Sequence, residues 1–111
     1  MKEGDVLLAG LPQADGATTL RPVVFLRAMP PYDDLLVCGV STQLHQQVPG
    51  FDELLAPGEP GYAETGLLAP SIVRLGFLAV LPRTKVAGAI GSLSPLRHRQ
   101  LLERLARHLV G

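Results

Sequence analysis

Leu20-Arg21-Pro22-Val23-Val24-Phe25-Leu26-Arg27-Ala28 and the later run Leu36-Val37-Cys38-Gly39-Val40-Ser41-Thr42-Gln43 are the stretches that decide the fold. Each is an apolar strand pattern with a polar, chemically capable residue at one end. Arg21 precedes Pro22 and is thereby biased to an extended conformation at a strand entrance. Ser41 closes the second run. If the two strands pair, a permanent cation and a hydroxyl face one small site. That combination suits the stabilisation of a phosphorane-like transition state.

Twelve glycines and ten prolines cut the 111-residue chain into short pieces, which favours several short strands over helices. The pattern predicts strands at about 5–11, 20–28, 34–42, 67–75 and 77–81, with a weaker one near 85–92. Leu11 to Gly16 is expected to form a turn or mobile loop, and Met29-Pro30-Pro31-Tyr32 a break, because consecutive prolines cannot continue a ladder. Residues 44–66 are acidic and rich in Gly and Pro, an irregular stretch long enough to suggest a functional loop. The one clear helix is terminal: Ser94 suits the N-cap, Pro95 the first helical position, and Gly111 follows the end. Leu101, Leu102, Leu105, Leu109 and Val110 recur at helical spacing and are expected to pack on the sheet, leaving Arg97, Arg104, Arg107 and His108 on the other side. The length fits one domain spanning residues 1–111, a compact barrel or strongly bent sheet closed by that helix.

Ten basic and ten acidic residues balance to zero formal charge, which counts against a nucleic-acid partner, since phosphate neutralisation supplies much of such affinity. The distribution is uneven: after residue 73 Glu103 is the sole acid, against Arg74, Arg83, Lys85, Arg97, Arg99, Arg104 and Arg107. No apolar stretch reaches the ~20 residues of a membrane helix, and no signal peptide is visible, so a cytoplasmic location without membrane attachment is expected. The lone Cys38, inside an apolar run, reads as a small core residue.

Taken singly, the candidate residues have plain structural readings. Arg21 can be a surface arginine that starts a strand, and Ser41 and Thr42 can cap a turn. Gln43 offers an amide to a phosphate or to solvent. Arg74, in the apolar run Ser71-Ile72-Val73-Arg74-Leu75, projects either to an open sheet face or into a groove. The three histidines show no metal spacing, and no Gly-rich phosphate loop opens a helix, so neither a metal site nor a nucleotide cofactor is expected. With five aromatics and no Trp, an extensive base-stacking platform is excluded.

The order of segments resembles the MazF/PemK family of toxin endoribonucleases. Lys2-Glu3-Gly4-Asp5-Val6-Leu7-Leu8 is similar to its opening (basic)-x-Gly-Asp-(apolar) strand, Leu20-Arg21-Pro22-Val23-Val24 to its Arg-Pro strand, and Val40-Ser41-Thr42-Gln43 to its (Ile/Val)-(Thr/Ser)-x-Gln strand end. Gly66-Leu67-Leu68-Ala69-Pro70-Ser71-Ile72-Val73-Arg74-Leu75 resembles its Gly-Leu-x-x-x-Ser-x-(apolar)-Arg segment, and Ile90-Gly91-Ser92-Leu93-Ser94-Pro95 with the terminal helix completes the order.

The resemblance implies a mainly β, SH3-like small barrel with a C-terminal α-helix. It further implies a homodimer that cuts single-stranded RNA without a metal, through 2′-OH attack and a 2′,3′-cyclic phosphate, and that a cognate antitoxin blocks. On it, Arg21 and Ser41 are the catalytic pair, and Thr42, Gln43 and Arg74 contact substrate. One departure stands out. Some relatives carry an acidic residue, proposed as general base, two positions after the arginine matching Arg74; here that position is Gly76, followed by Phe77-Leu78-Ala79-Val80-Leu81 instead of a polar run. A mechanism relying on that base cannot operate here. The rival expectation is a catalytically weakened or non-enzymatic binding module of the same fold, of the kind that poisons DNA gyrase.

Overall fold

The computed structural model describes residues 1–12 and 18–111. Among these, six strands form one antiparallel sheet: β1 (Asp5–Pro12), β2 (Thr18–Met29), β3 (Asp34–Ser41), β4 (Glu53–Leu55), β5 (Ser71–Leu81) and β6 (Val86–Ser92), in spatial order β4-β5-β3-β2-β1-β6. The helix α1 (Pro95–Val110) follows. The expected barrel is therefore barrel-like but not closed, because β4 and β6 remain its two edges and do not pair.

The unbroken apolar runs reflect burial on both faces. Val23, Val24, Phe25 and Leu26 are all buried although neighbours along a strand point to opposite sides. On one side Val6, Val24, Leu26, Cys38, Val73 and Leu75 pack with Leu101 and Leu105 of α1. On the other, Leu7, Ala9, Leu11, Val23, Phe25, Leu35, Val37 and Leu81 gather with Val86 beside them. No helix contributes to this second cluster, so the sheet supplies its own cover by curling. Leu81 and Val86 belong to strands four places apart in the sheet yet share it. Register slips between Phe25 and Arg27, and twice along the β1–β6 ladder, provide local bends of the kind that bulges produce.

The opening Lys2-Glu3-Gly4-Asp5 is an anchor for this curl. Gly4, at φ 93°, donates its N–H to Phe25 O at 2.7 Å and accepts from Leu93 N at 2.8 Å, tying β2 to the chain entering the helix. Glu3 accepts from Ala28 N at 2.8 Å. Asp5 is buried, which raises its carboxyl pKa, but hydrogen bonds from the Lys2 amide and ammonium outweigh that and leave it below the ordinary value of 3.8. Burial pushes the Cys38 thiol up to about 12, in keeping with a core residue and not a nucleophile.

Several expectations change in detail. Residues 71–81 form one strand, because Gly76 sits in a bulge and does not end the ladder, while residues 67–70 of the expected strand lie outside it. Residues 44–66 hold the short β4 and two 3₁₀ turns. Leu11 and Pro12 pair with Thr19 and Thr18, while Gln13 to Gly16 lie outside the described residues. On α1 only Leu101 and Leu105 are buried, whereas Leu109 and Val110 are 70% and 89% exposed. The supposed outer face is docked instead: Arg97 pairs with Glu59 at 3.3 Å, Arg104 with Glu53 at 2.9 Å, and the His108 ring lies 4.8 Å from that of Phe51. His98 Nε2 lies 2.8 Å from Leu26 O, placing a ring N–H on that carbonyl. Among the described residues no helix is long and apolar enough to cross a membrane.

The bulge in β5 is braced from the 44–66 stretch. Gly39 pairs with Arg74 and Cys38 with Leu78, so Leu75, Gly76 and Phe77 have no partners on β3. The buried Asp52 carboxylate accepts from Leu75 N at 3.2 Å and from Val48 N at 2.9 Å. Asp52→Ala strands the buried Leu75 N–H, and a stability loss of roughly 1–3 kcal/mol is expected from the shift in urea midpoint at unchanged slope. Asp52→Asn, whose amide oxygen still accepts one bond, loses less.

Candidate functional site

At the end of the strand-only core lies an open cleft of ≈ 390 Å³, lined by Arg21, Ser41, Thr42, Gln43 and Arg74 together with Leu11, Pro22, Gly39, Val40 and Phe77. All five residues singled out in the sequence meet there. The register explains why. β2 and β3 pair as Val23↔Gly39, Val24↔Cys38 and Phe25↔Val37. Two residues beyond Val23 and Gly39, on the same faces as that pair, are Arg21 and Ser41. Arg74 is the partner of Gly39 on the opposite side of β3. Three adjacent strands therefore each deliver one functional side chain to the same end of the sheet.

The cleft's chemistry is cationic and hydroxylic. Arg21 is exposed and Arg74 half-buried. Ser41 Oγ accepts from Gln43 N at 3.0 Å, so the turn-capping role expected of it is filled. That bond uses a lone pair and leaves the hydroxyl proton available to donate. It also fixes the loop that carries Thr42 and Gln43, both exposed and both on the cleft. β3 ends at Ser41, so the strand alternation that would have turned Thr42 away from Ser41 does not extend to it. Among the described residues no group of three His, Cys, Asp or Glu side chains gathers as a ligand set for a metal.

Sequence reasoning missed Phe77 and Gly39. A Cβ built on Gly39 would stand 3.0 Å from Phe77 Cδ1 and 3.2 Å from Cγ, so the ring rests on bare backbone. A glycine inside an otherwise apolar strand was the available signal of such a close approach.

The sheet of this order, the terminal helix and the Arg/Ser cleft define a small barrel-like β domain with a site at the end of its sheet. The sequence model of the PemK-like, MazF-like toxins of type II toxin–antitoxin systems matches residues 2–109, and the chain belongs to that family. Among solved structures, the Mycobacterium tuberculosis toxin MazF-mt6 superposes with a TM-score of 0.68, covering 96% of each chain at 22% sequence identity. No curated protein matches the sequence. Membership of a type II toxin family implies an antitoxin partner.

Gly39→Val drives two methyl groups into the space the Phe77 ring occupies. Overpacking of this kind is expected to cost about 1–3 kcal/mol, read from the urea midpoint.

Proposed function

We propose that this toxin is a metal-independent endoribonuclease that cuts single-stranded mRNA at short sequences, with Arg21 and Ser41 as its catalytic pair. The observation carrying this reading is the shared cleft of a guanidinium and a hydroxyl from adjacent strands. In the proposed step the ribose 2′-oxygen forms a bond to the adjacent phosphorus. The 2′-OH proton is released, the P–O5′ bond breaks, and the 5′-oxygen takes up a proton. The products are a 2′,3′-cyclic phosphate and a 5′-OH end.

Arg21 is permanently charged and planar, so its role is to hold the non-bridging oxygens as negative charge accumulates on them. Ser41 donates its hydroxyl proton to the same oxygens, its lone pair already occupied by Gln43 N. Thr42, Gln43 and Arg74 hold the flanking nucleotides. A second copy of the chain would extend so small a cleft into a groove along the RNA, the geometry of a homodimer. The antitoxin would act by covering that groove in the cytoplasm.

A second reading, a catalytically weakened or non-enzymatic binder of the gyrase-inhibitor kind, is favoured by one observation. Gly76 stands where some relatives have a carboxylate, and it leaves no side chain to act as base. Sequencing of RNA ends after induction separates the two, because a binder leaves no recurrent cut.

The purified chain is expected to cut RNA in the presence of EDTA. Arg21→Ala and Ser41→Ala should each slow cutting by roughly 10²–10³ and relieve growth arrest. Two variants as toxic as the parent would sink the assignment. A Cβ at Gly76 meets nothing within 4 Å, and its φ is not left-handed, so a side chain fits there. Gly76→Glu is expected to raise the cutting rate, by up to about 10², with a new rise of rate with pH through the carboxylate range.

A further inference from the structure

Phe77 has no part in the chemistry above, yet it is placed with some care. The three unmatched residues of the β5 bulge reverse the strand's alternation: Leu75 enters the helix-side core, while Phe77 turns to the cleft. The ring lies on Gly39, where no side chain intervenes, and Gly39 is the ladder partner of Arg74. Phe77 is nevertheless 44% exposed. The ring is left open to water in the same cleft that the two arginines line. Its flat face is matched to a planar ligand, and the cations and hydroxyl beside it are matched to a phosphate. A nucleotide carries both features in one unit. An apolar side chain from a protein partner would fit the ring but would bring no anion into a cleft that two guanidinium groups line.

We infer that Phe77 is a stacking platform for one nucleobase of the single-stranded RNA whose scissile phosphate lies at Arg21 and Ser41. This rests on the endoribonuclease reading and adds to it a substrate-positioning residue. Stacking is tolerant of base identity, since every base has a π-face, so Phe77 sets position and affinity more than sequence. A single ring does this for one base, and the scarcity of aromatics in the chain is no obstacle.

The test uses the full chain and a single-stranded RNA decamer spanning a cut mapped for the parent, with a 2′-O-methyl group at the attacking position to block cleavage. A companion set carries one abasic nucleotide at each position in turn. Phe77→Leu is expected to weaken decamer binding about tenfold to a hundredfold. One abasic position should weaken the parent by a similar factor and leave Phe77→Leu unaffected, as interacting groups do in a double-mutant cycle. The chain has no Trp, so Phe77→Trp installs a unique fluorophore. It should bind like the parent and be quenched by the intact decamer but not by the abasic one. On cleavable RNA, Phe77→Leu should raise KM more than it lowers kcat. If Phe77→Leu binds every decamer within about twofold of the parent, or the Trp signal ignores the abasic site, the platform is refuted while the nuclease stands. Loss of antitoxin binding without loss of RNA binding refutes it equally and assigns the ring to the protein partner. A parent that makes no cut refutes both.

Discussion

Between Arg74 and Leu78 the fifth strand carries three residues that its neighbour does not match, and the amide freed at Leu75 is held by the Asp52 carboxylate. A buried N–H outside a ladder must find an acceptor or oppose folding. Asp52 meets that demand from a segment 23 residues upstream, and in doing so it fastens the acidic connection onto the sheet. It braces the point at which alternation reverses, between Leu75, which faces the helix with Val73, and Phe77, which lines the cleft with Arg74. The same bulge holds Gly76, the neighbour in sequence of Phe77.

Charge is distributed by a related logic. The acids of the 44–66 stretch and the arginines of the helix are not two opposed surfaces, because they consume one another: Arg97 with Glu59, Arg104 with Glu53, and Arg99 with Glu103 within the helix. Surface pairs of this kind contribute little singly, but Arg104 and Glu53 are both largely shielded and clamp the helix to the edge strand β4. Among the described residues the cleft is lined by Arg21 and Arg74 and by no acidic side chain. Local sign at a site, not the whole-chain sum, decides what a small domain attracts.

The positions of β1, β2, β3 and β6, the terminal helix and the five cleft residues were legible in the sequence because they depend on local signals, whereas β4 was not. Apolar runs mark doubly buried strands, Arg before Pro marks an extended strand entrance, and Ser94-Pro95 marks a helix start. Convergence of Arg21 and Ser41 required only that β2 and β3 be antiparallel neighbours. What escaped were features set by tertiary partners. Gly76 looked like a break between two strands, because the acceptor that makes a bulge tolerable lies at Asp52. Leu109 and Val110 match the helical period but extend past the sheet, so periodicity overstated the buried stripe. The helix arginines looked solvated because their carboxylate partners are 38 and more residues away in sequence. Phe77 was hidden because its meaning depends on Gly39, a residue on another strand.

The absence of a carboxylate at position 76 is not forced by crowding, since the space above Gly76 is empty. Two consequences follow for the proposed chemistry. A site built on a guanidinium and a hydroxyl stabilises the charge that develops on the phosphorus-bound oxygens, and such stabilisation supplies most of the acceleration in many enzymes. On the proposed reading it leaves deprotonation of the 2′-OH to solvent or to the RNA itself. An acid at position 76 would place a solvated, negatively charged group next in sequence to Phe77, where it would oppose the phosphates of the proposed substrate. An apolar ring and a bare backbone on the same wall instead favour close approach of a base. On the proposed reading, Gly76 and Phe77 belong to one arrangement that favours binding of the nucleotide over acceleration of the proton transfer.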